Sequence, residues 1–368
     1  MISGDRSILA GKRGAFWYTL EELSKHWERI DIICPKNPSP PQSRGRGELL
    51  FFGNVYFHPS PWPLWRQPWW ILEKGTELQA EHHHDVMTVH EYPPFYNGTG
   101  ARWLHRSCGI PFCLEIHHIV GWPRASSLFE WIGCRLSRWV FSHGARSAVG
   151  IRVVNQDVKT VLTLWGIPAE KIHVVPSFYL DRHLLQPDPH VKKEYDVVFC
   201  GRLVANKGLL PLIDAVAKIP TITMLIIGDG PLKPSAEWRV RRWGISKRVR
   251  FLGWLQSQQE VIAAMQSARI FVMNSLSEGG PRTALEAMAC GMPILTTHVG
   301  VMPEVIEDSV NGLFTTGEPN DLQEKITMVL GNEALRSRMG AEARKIVQKF
   351  ERVKLIGEYA ALLKSITH

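Results

Sequence analysis

The chain has 368 residues, 45% apolar and 21% charged, with 43 Lys+Arg against 35 Asp+Glu and a net charge of +8. This composition belongs to a folded globular protein, and at roughly 150 residues per domain the length predicts two domains with a core each, which excludes disorder and a single small module. Charges at Asp5, Arg6, Lys12 and Arg13 interrupt the N-terminal stretch, and no window approaches the roughly 18 apolar residues of a membrane span, so neither an export signal nor a transmembrane helix is expected.

In chain order, a helix is predicted over 16–27, then short strands over 30–34, 54–57, 85–89, 112–116, 147–149 and 172–175, several flanked by Pro or Gly. A Pro-rich polar stretch at 187–193 reads as a domain boundary. Beyond it, strands over 195–200, 223–227, 250–252, 269–273, 293–296 and 312–314 alternate with helical segments at 208–219 and 237–243, and a last helix covers 353–366. Such alternation specifies a parallel sheet wrapped by helices, so the expected fold class is α/β, with two doubly wound domains at 1–186 and 187–350 and a deep cleft between them. Ligands on such sheets bind outside the carboxyl ends of the strands, which places functional residues in the loops that follow strands.

The six cysteines make no C-x-x-C pair, and a chain this long needs no disulfides, so a reducing, cytoplasmic setting without a cysteine metal site is expected. His82, His83 and His84 are consecutive and point in divergent directions, which favours a solvated turn before a strand over a metal site. Positive charge concentrates in residues 101–150 (+4) and 201–250 (+7), two local surfaces that suit an anionic ligand or membrane better than a nucleic-acid stripe. Trp62, Trp65, Trp69 and Trp70 fall within nine residues. Tryptophan is favoured at membrane interfaces and sugar-stacking surfaces alike, and Arg102, Arg106, Arg124, Arg135, Arg138 and Arg146 suit anionic headgroups. Residues 128–140 read as a helix with Leu128, Trp131, Ile132, Leu136 and Trp139 near one face, which core packing explains as well as a membrane does.

The segment richest in chemistry follows the strand ending at Met273: Glu278-Gly279-Gly280-Pro281-Arg282-Thr-Ala-Leu-Glu286-Ala-Met-Ala-Cys-Gly291-Met-Pro293. Pro281 suits a first helical position and Gly291 a left-handed C-cap, so a helix is expected to start at the sheet's open end, where its N-terminus offers N–H donors to a phosphate. Glu278 and Glu286 are carboxylates able to accept sugar or ribose hydroxyls. With its two glutamates eight positions apart, and with Gly300-Val-Met-Pro-Glu304 and Asn311-Gly-Leu-Phe after it, this segment resembles the retaining glycosyltransferases of family 4, which have the GT-B fold of two Rossmann-like domains.

The resemblance implies that Glu278 contacts donor-sugar hydroxyls, that Glu286 holds the nucleotide ribose, and that Gly279, Gly280, Pro281 and Arg282 line the donor site. Cys200-Gly201-Arg202-Leu-Val-Ala-Asn-Lys207-Gly208 resembles the family's G-R-x-x-x-x-K-G loop, in which Arg202 and Lys207 would grip the donor diphosphate and neutralise charge growing on the leaving group. Gly11-Lys12-Arg13-Gly14 looks like the glycine loop that approaches the donor phosphates. Few residues precede it where the family has a full strand, so that strand is either very short or lies upstream. The strand over 112–116 resembles one ending in a histidine near the donor sugar, which favours His117 over His118. His90 and Glu91, with His118, are weaker candidates for the acceptor. In this fold the final helix, within 351–368, crosses back onto the N-terminal domain. Residues 175–181 depart from the family's usual P-N-G-V-D.

No two aspartates lie two positions apart, so no D-x-D pair is present to hold a metal on a diphosphate. The expectation is therefore metal-independent transfer of a sugar from a nucleotide-diphosphate sugar, with retention and without a further cofactor. The acceptor is expected to be a glycan or lipid-linked molecule, in cell-surface polysaccharide or glycolipid synthesis, with peripheral contact to an anionic inner membrane face and no nucleic acid. Two other readings stay open at this point: an epimerase or hydrolase of nucleotide sugars on the same fold, and a non-catalytic nucleotide-sugar or polyanion binder.

Overall fold

The computed structural model describes residues 1–11, 14–37 and 49–367. It divides into two compact units, Met1–Ile119 with Gly133–Ser177 and Arg352–His368, and Val120–Ile132 with Phe178–Glu351. The change of unit at Phe178 thus precedes the Pro-rich stretch at 187–193.

The first unit contains α1 (Ala15–Leu23), β1 (Ile30–Cys34), β2 (Leu49–Phe51), β3 (Val55–Pro59), α2 (Gln67–His82), β4 (Met87–His90), α3 (Tyr96–Cys108), β5 (Phe112–Ile116), α4 (Leu128–Ser147), β6 (Gly150–Val153), α5 (Gln156–Leu164) and β7 (Ile172–Val174), with the first turns of α4 grouped in the second unit. Its strands run in the orders β1-β3-β2 and β4-β5-β6-β7, parallel except for β2. Met1–Ser3 stitches the two sets together. Ile2 donates to Thr88 O (2.7 Å) and Ser3 to Ile33 O (3.1 Å), so Ile2 bridges β1 and β4 in parallel. Before the glycine loop, the described residues thus supply a one-residue bridge between β1 and β4.

The second unit contains β8 (Tyr195–Cys200), α6 (Leu209–Ala217), β9 (Met224–Ile227), α7 (Lys233–Arg242), β10 (Val249–Gly253), α8 (Gln258–Gln266), β11 (Ala268–Met273), α9 (Arg282–Ala289), β12 (Ile294–Thr296), α10 (Met302–Val305), β13 (Leu313–Phe314), α11 (Pro319–Gly331), α12 (Glu333–Ala343) and α13 (Ile346–Lys349). Its sheet is wholly parallel in the order β10-β9-β8-β11-β12-β13, a doubly wound sheet whose strand order reverses between β8 and β11. Strands covered on both faces read as unbroken apolar runs, as Met-Leu-Ile-Ile in β9 does. Helix entries are set by side chains: Ser257 and Glu260 form a capping box at α8, and Asn155 caps α5 by accepting from Val158 N–H (2.8 Å).

Three local expectations need correction. The strand placed at 147–149 begins instead at Gly150, because α4 runs on through Gly144-Ala-Arg-Ser147 and the strand itself contains a buried charge, Arg152, that hides its apolar pattern. Strand β2 was not foreseen. Pro281 is the N-cap and not the first helical residue of α9 (φ −72°, ψ 86°), while Gly291 does take the left-handed conformation (φ 72°).

The last helix, α14 (Arg352–Ser365), belongs to the first unit. It packs on α1, with Arg352 over the Tyr18 ring and Lys364 near Trp27, and its buried Tyr359 donates a 2.6 Å hydrogen bond to Glu115 Oε1 in β5. Removing that hydroxyl leaves a buried carboxylate oxygen without its donor, which costs about 1–3 kcal/mol. Tyr359→Phe is accordingly expected to lower stability by that amount in urea denaturation, and an unchanged midpoint would show that the bond contributes nothing.

Candidate active site

In the second unit the strand-order reversal brings together two loops, 201–208 after β8 and 274–281 after β11. Lys207, at the end of a short 3-10 turn, ion-pairs with Glu278 Oε1, which also accepts from Ser275 Oγ (2.9 Å). The loops are tied at their backbones: Leu276 N–H donates to Asn206 O (2.7 Å), and Asn274 Nδ2 donates to Gly208 O (3.0 Å) and Gly317 O (3.1 Å). Gly208 has φ 62°, and a Cβ there would stand 1.9 Å from Asn274 O, so only glycine permits this approach. Arg202 is exposed and makes no ion pair among the described residues.

Helix α9 starts from this junction and is buried from Ala284 to Ala289, which explains its small residues. Glu286, one turn inside, is 4% exposed and accepts from Arg282 Nε (2.8 Å) and Gln258 Nε2 (2.7 Å), both on Oε1. Gln258 is a partner the sequence did not reveal, since it comes from α8. Thr283 Oγ1 donates to Cys200 O (3.1 Å), which pins the helix start to the end of β8. A Cβ on Gly280 would lie 1.9 Å from the Phe178 ring, so glycine here accommodates the aromatic residue of the atypical 175–181 segment. Gly300 (φ 57°) lets the next loop close over Gly279, whose carbonyl accepts from Val301 N–H (3.1 Å).

In the first unit, the polar residues His90, Glu115, Arg152 and His173 are paired in register across β4, β5, β6 and β7. Glu115 Oε2 receives Arg152 Nη1 at 2.9 Å, His117 Nε2 at 3.2 Å and His90 Nε2 at 3.3 Å; Tyr359 holds Oε1. Arg152 also donates to the carbonyls of Val175 (3.0 Å) and Pro176 (2.9 Å), and its guanidinium lies 3.8 Å over the Tyr359 ring. Burial alone would raise the Glu115 carboxyl, but the two histidines and Arg152 hold it well below the usual carboxylate range. Burial lowers His117 to about 4 despite the pull of Glu115, with His90 and Arg152 adding to the shift, so the ring is neutral at pH 7. His90 and His117 meet edge to face at 4.8 Å, and Ser3 Oγ lies 3.3 Å from His90 Nδ1.

The other expected residues are placed as follows. Gly11 is left-handed (φ 72°), Gly14 caps α1, and Lys12 and Arg13 lie outside the described residues. Glu91 is buried at the first turn of α3, its carboxylate against Gly98, and burial pushes it up to about 7; it is turned into the unit and does not offer itself as an acceptor contact. His118 is half-buried beside His117. His90, Glu115 and His117 place their ligand atoms within 4.8 Å of one another, the one metal-compatible group among the described residues, yet the Arg152 cation already occupies the shared carboxylate oxygen. Sequence reading missed Glu115, Arg152 and Tyr359, although opposite charges inside two neighbouring apolar strands were the available signal.

Fold and site together define the two-domain architecture of a GT-B glycosyltransferase. More particularly, residues 16–179 match the family model "Glycosyltransferase Family 4" and residues 183–346 match "Glycosyl transferases group 1". An uncharacterised glycosyltransferase of Methanocaldococcus jannaschii is 36% identical over 160 residues, 43% of this chain and 45% of that protein. The chain spans about half the length of the curated relatives it matches first. Sucrose-phosphate synthase of Thermosynechococcus elongatus superposes with a TM-score of 0.82 at 19% identity, covering 95% of this chain and 91% of the other. Anabaena HepE, solved with UDP-glucose, gives 0.75 at 21% identity over 99% and 98%.

Replacing one partner of a buried ion pair costs about 3–5 kcal/mol, so Glu115→Gln is expected to lose that much at pH 7. The folded Glu115 lies below its ordinary value of 4.5, so its stabilisation is full above that pH and is lost as pH falls through the folded value. Urea titrations from pH 7 to acid should show the gap between wild type and variant narrowing below about pH 4.5; a pH-independent gap would contradict this assignment.

Proposed function

We propose that the protein transfers a sugar from a nucleotide-diphosphate sugar to an acceptor hydroxyl with retention of anomeric configuration and without a metal. The observation that carries the reading is the Lys207–Glu278 pair at the strand-order reversal of a doubly wound sheet, the place where such sheets bind nucleotides. In this reading the donor diphosphate lies against Arg202, Lys207 and the Gly279–Arg282 turn, where fixed cations and backbone N–H groups offset the charge that builds on the leaving group. Glu278 accepts from donor-sugar hydroxyls. Glu286, whose two protein bonds fall on Oε1, keeps Oε2 for the ribose.

The sugar departs through an oxocarbenium-like transition state, and the leaving phosphate oxygen takes the acceptor proton, so no protein nucleophile is assigned. His117, neutral at pH 7, is the candidate to bond a sugar hydroxyl, with His90 and His118 as acceptor-side candidates. Metal independence is supported by the absence of a D-x-D pair from the sequence and by Arg152, whose charge opposes a cation at the His90–Glu115–His117 group. The donor class agrees with the UDP-glucose in the Anabaena neighbour. An acceptor in surface polysaccharide or glycolipid synthesis fits the same reading.

Calorimetry with UDP-, GDP-, ADP- and dTDP-sugars in EDTA should find one nucleotide class that binds the wild type, with Glu286→Ala weakening it at least about tenfold, the effect of one lost charged hydrogen bond. Lys207→Met is expected to lower kcat by about 10²–10³-fold, as loss of one charge-stabilising donor does. No binding with or without metal would overturn the reading, and a changed sugar without an acceptor glycoside would replace transfer by epimerisation.

A further inference from the structure

Three structural carboxylates of this chain are bonded on both oxygens. Glu115 takes Arg152 on Oε2 and Tyr359 on Oε1, Asp31 takes His58 on Oδ1 and Arg29 on Oδ2, and Asp214 takes Trp243 on Oδ1 and Arg239 on Oδ2. Glu286 differs. It is almost completely buried, yet both of its protein donors, Arg282 Nε and Gln258 Nε2, fall on Oε1. Its Oε2 has no donor among the described residues and is not one of the buried unpartnered atoms, so the little of this side chain that meets solvent includes that oxygen. Glu278 repeats the arrangement, with Lys207 and Ser275 both on Oε1. A nearly buried carboxylate oxygen without a donor costs free energy that a purely structural contact would have removed, so the free Oε2 points to a hydroxyl from outside the chain.

Gln258 reaches this carboxylate from a separate element. Strands β10 and β11 run parallel within one sheet, so the helices that follow them, α8 and α9, both start at its carboxyl edge. Gln258 is the first helical residue of α8, and α8 does not need it as a cap. Ser257 Oγ already accepts from Glu260 N–H (3.1 Å), while Glu260 Oε2 accepts from Gln256 N–H (3.0 Å) and Ser257 N–H (3.2 Å). That box fixes the backbone from which Gln258 extends. Arg282, by contrast, lies on the helix of Glu286 itself, four residues before it, and a pair with the cation on the N-terminal side is the weaker order. The terminal torsion of a glutamate is broad, so one donor leaves the carboxylate plane free to turn, whereas two donors from different helices hold it.

We propose that Gln258 is a positioning residue for the nucleotide: its Nε2–H fixes the Glu286 carboxylate with Oε2 toward the ribose, and the site thereby selects a nucleotide that carries the ribose diol. This role rests on the donor-site reading given above and adds to it a residue from outside the Glu278–Glu286 segment. Without the bond the carboxylate turns about its terminal torsion and selection for the hydroxyls falls. The grip on the diphosphate, which in that reading lies with Arg202 and Lys207, stays as it was.

The test is calorimetry of the full chain with UDP, GDP and ADP and with their 2′,3′-dideoxy counterparts. It compares the wild type, Gln258→Met, Gln258→Lys, Glu286→Ala, and Gln258→Met combined with Glu286→Ala. Methionine matches the length of glutamine without a donor, and lysine restores one. The wild type is expected to bind one ribonucleotide at least about tenfold more tightly than its dideoxy form. Gln258→Met should cut that ratio by about fivefold or more with the dideoxy affinity unchanged, and Gln258→Lys should bring it back. Once Glu286 is alanine, the methionine substitution should change nothing further. A Gln258→Met ratio equal to that of the wild type, an equal loss on both forms of the nucleotide, or additive losses in the double variant would overturn the proposal and leave nucleotide binding standing. A wild type that binds none of these nucleotides would instead bring down the donor reading, and this role with it.

Discussion

One buried carboxylate organises the first unit. Glu115 sits inside a strand that is otherwise Phe, Cys, Leu and Ile, and an isolated charge there would neutralise or unfold its surroundings. The fold answers by register: Arg152 is directly opposite on β6, His90 directly opposite on β4, and Tyr359 arrives from a helix 244 residues later in the sequence. Because Arg152 also binds the carbonyls of Val175 and Pro176, the same charge fixes the end of β7 and the start of the segment that leads to the second unit. A buried ion pair is weak evidence for net stability, but it does specify geometry: no other register of β4, β5 and β6 satisfies all four groups.

That geometry has a chemical consequence at the strand ends. Glu115 and His117 are two apart and share a side of the extended chain, so the carboxylate that anchors the sheet interior also orients the ring at its edge. Burial, with Arg152 and His90 adding to it, keeps that ring unprotonated at pH 7. Position and protonation state of His117 thus follow from one interior arrangement. The second unit reaches a comparable result differently, with loops instead of strands. There, Lys207 and Glu278 are held by backbone bonds between their loops and by the close approach that Gly208 allows.

How much of this was legible follows from where the information resides. Strands 112–116 and 195–200 could be read to the residue, because each is a short, mostly apolar run between turn residues, too short for a helix. The Glu278–Glu286 segment was legible because its spacing is local. Glu115 and Arg152 were not, since each is an anomaly by itself and becomes sensible only when register sets them side by side. The misplacement of β6 has a related cause: the strand was set at 147–149, and Arg152 interrupts the apolar pattern of the true strand, Gly150–Val153. Gln258 was invisible at a distance of 28 residues from its partner Glu286, and the one-residue stitch at Ile2 carries no periodicity at all.

Helix α4 marks a different limit. Periodicity reports that one face of a helix differs from the other, and it says nothing about which face turns inward. Leu128, Trp131, Ile132, Leu136 and Trp139 make a regular apolar face, but the buried face is Ser137, Val140, Phe141, Gly144 and Ala145, with Gly144 in close approach to Leu114 of β5. The outer face of the first turns keeps its large residues exposed, and the inward face, which mixes Phe141 and Val140 with the small residues, is recognised only once the sheet it packs against is in place.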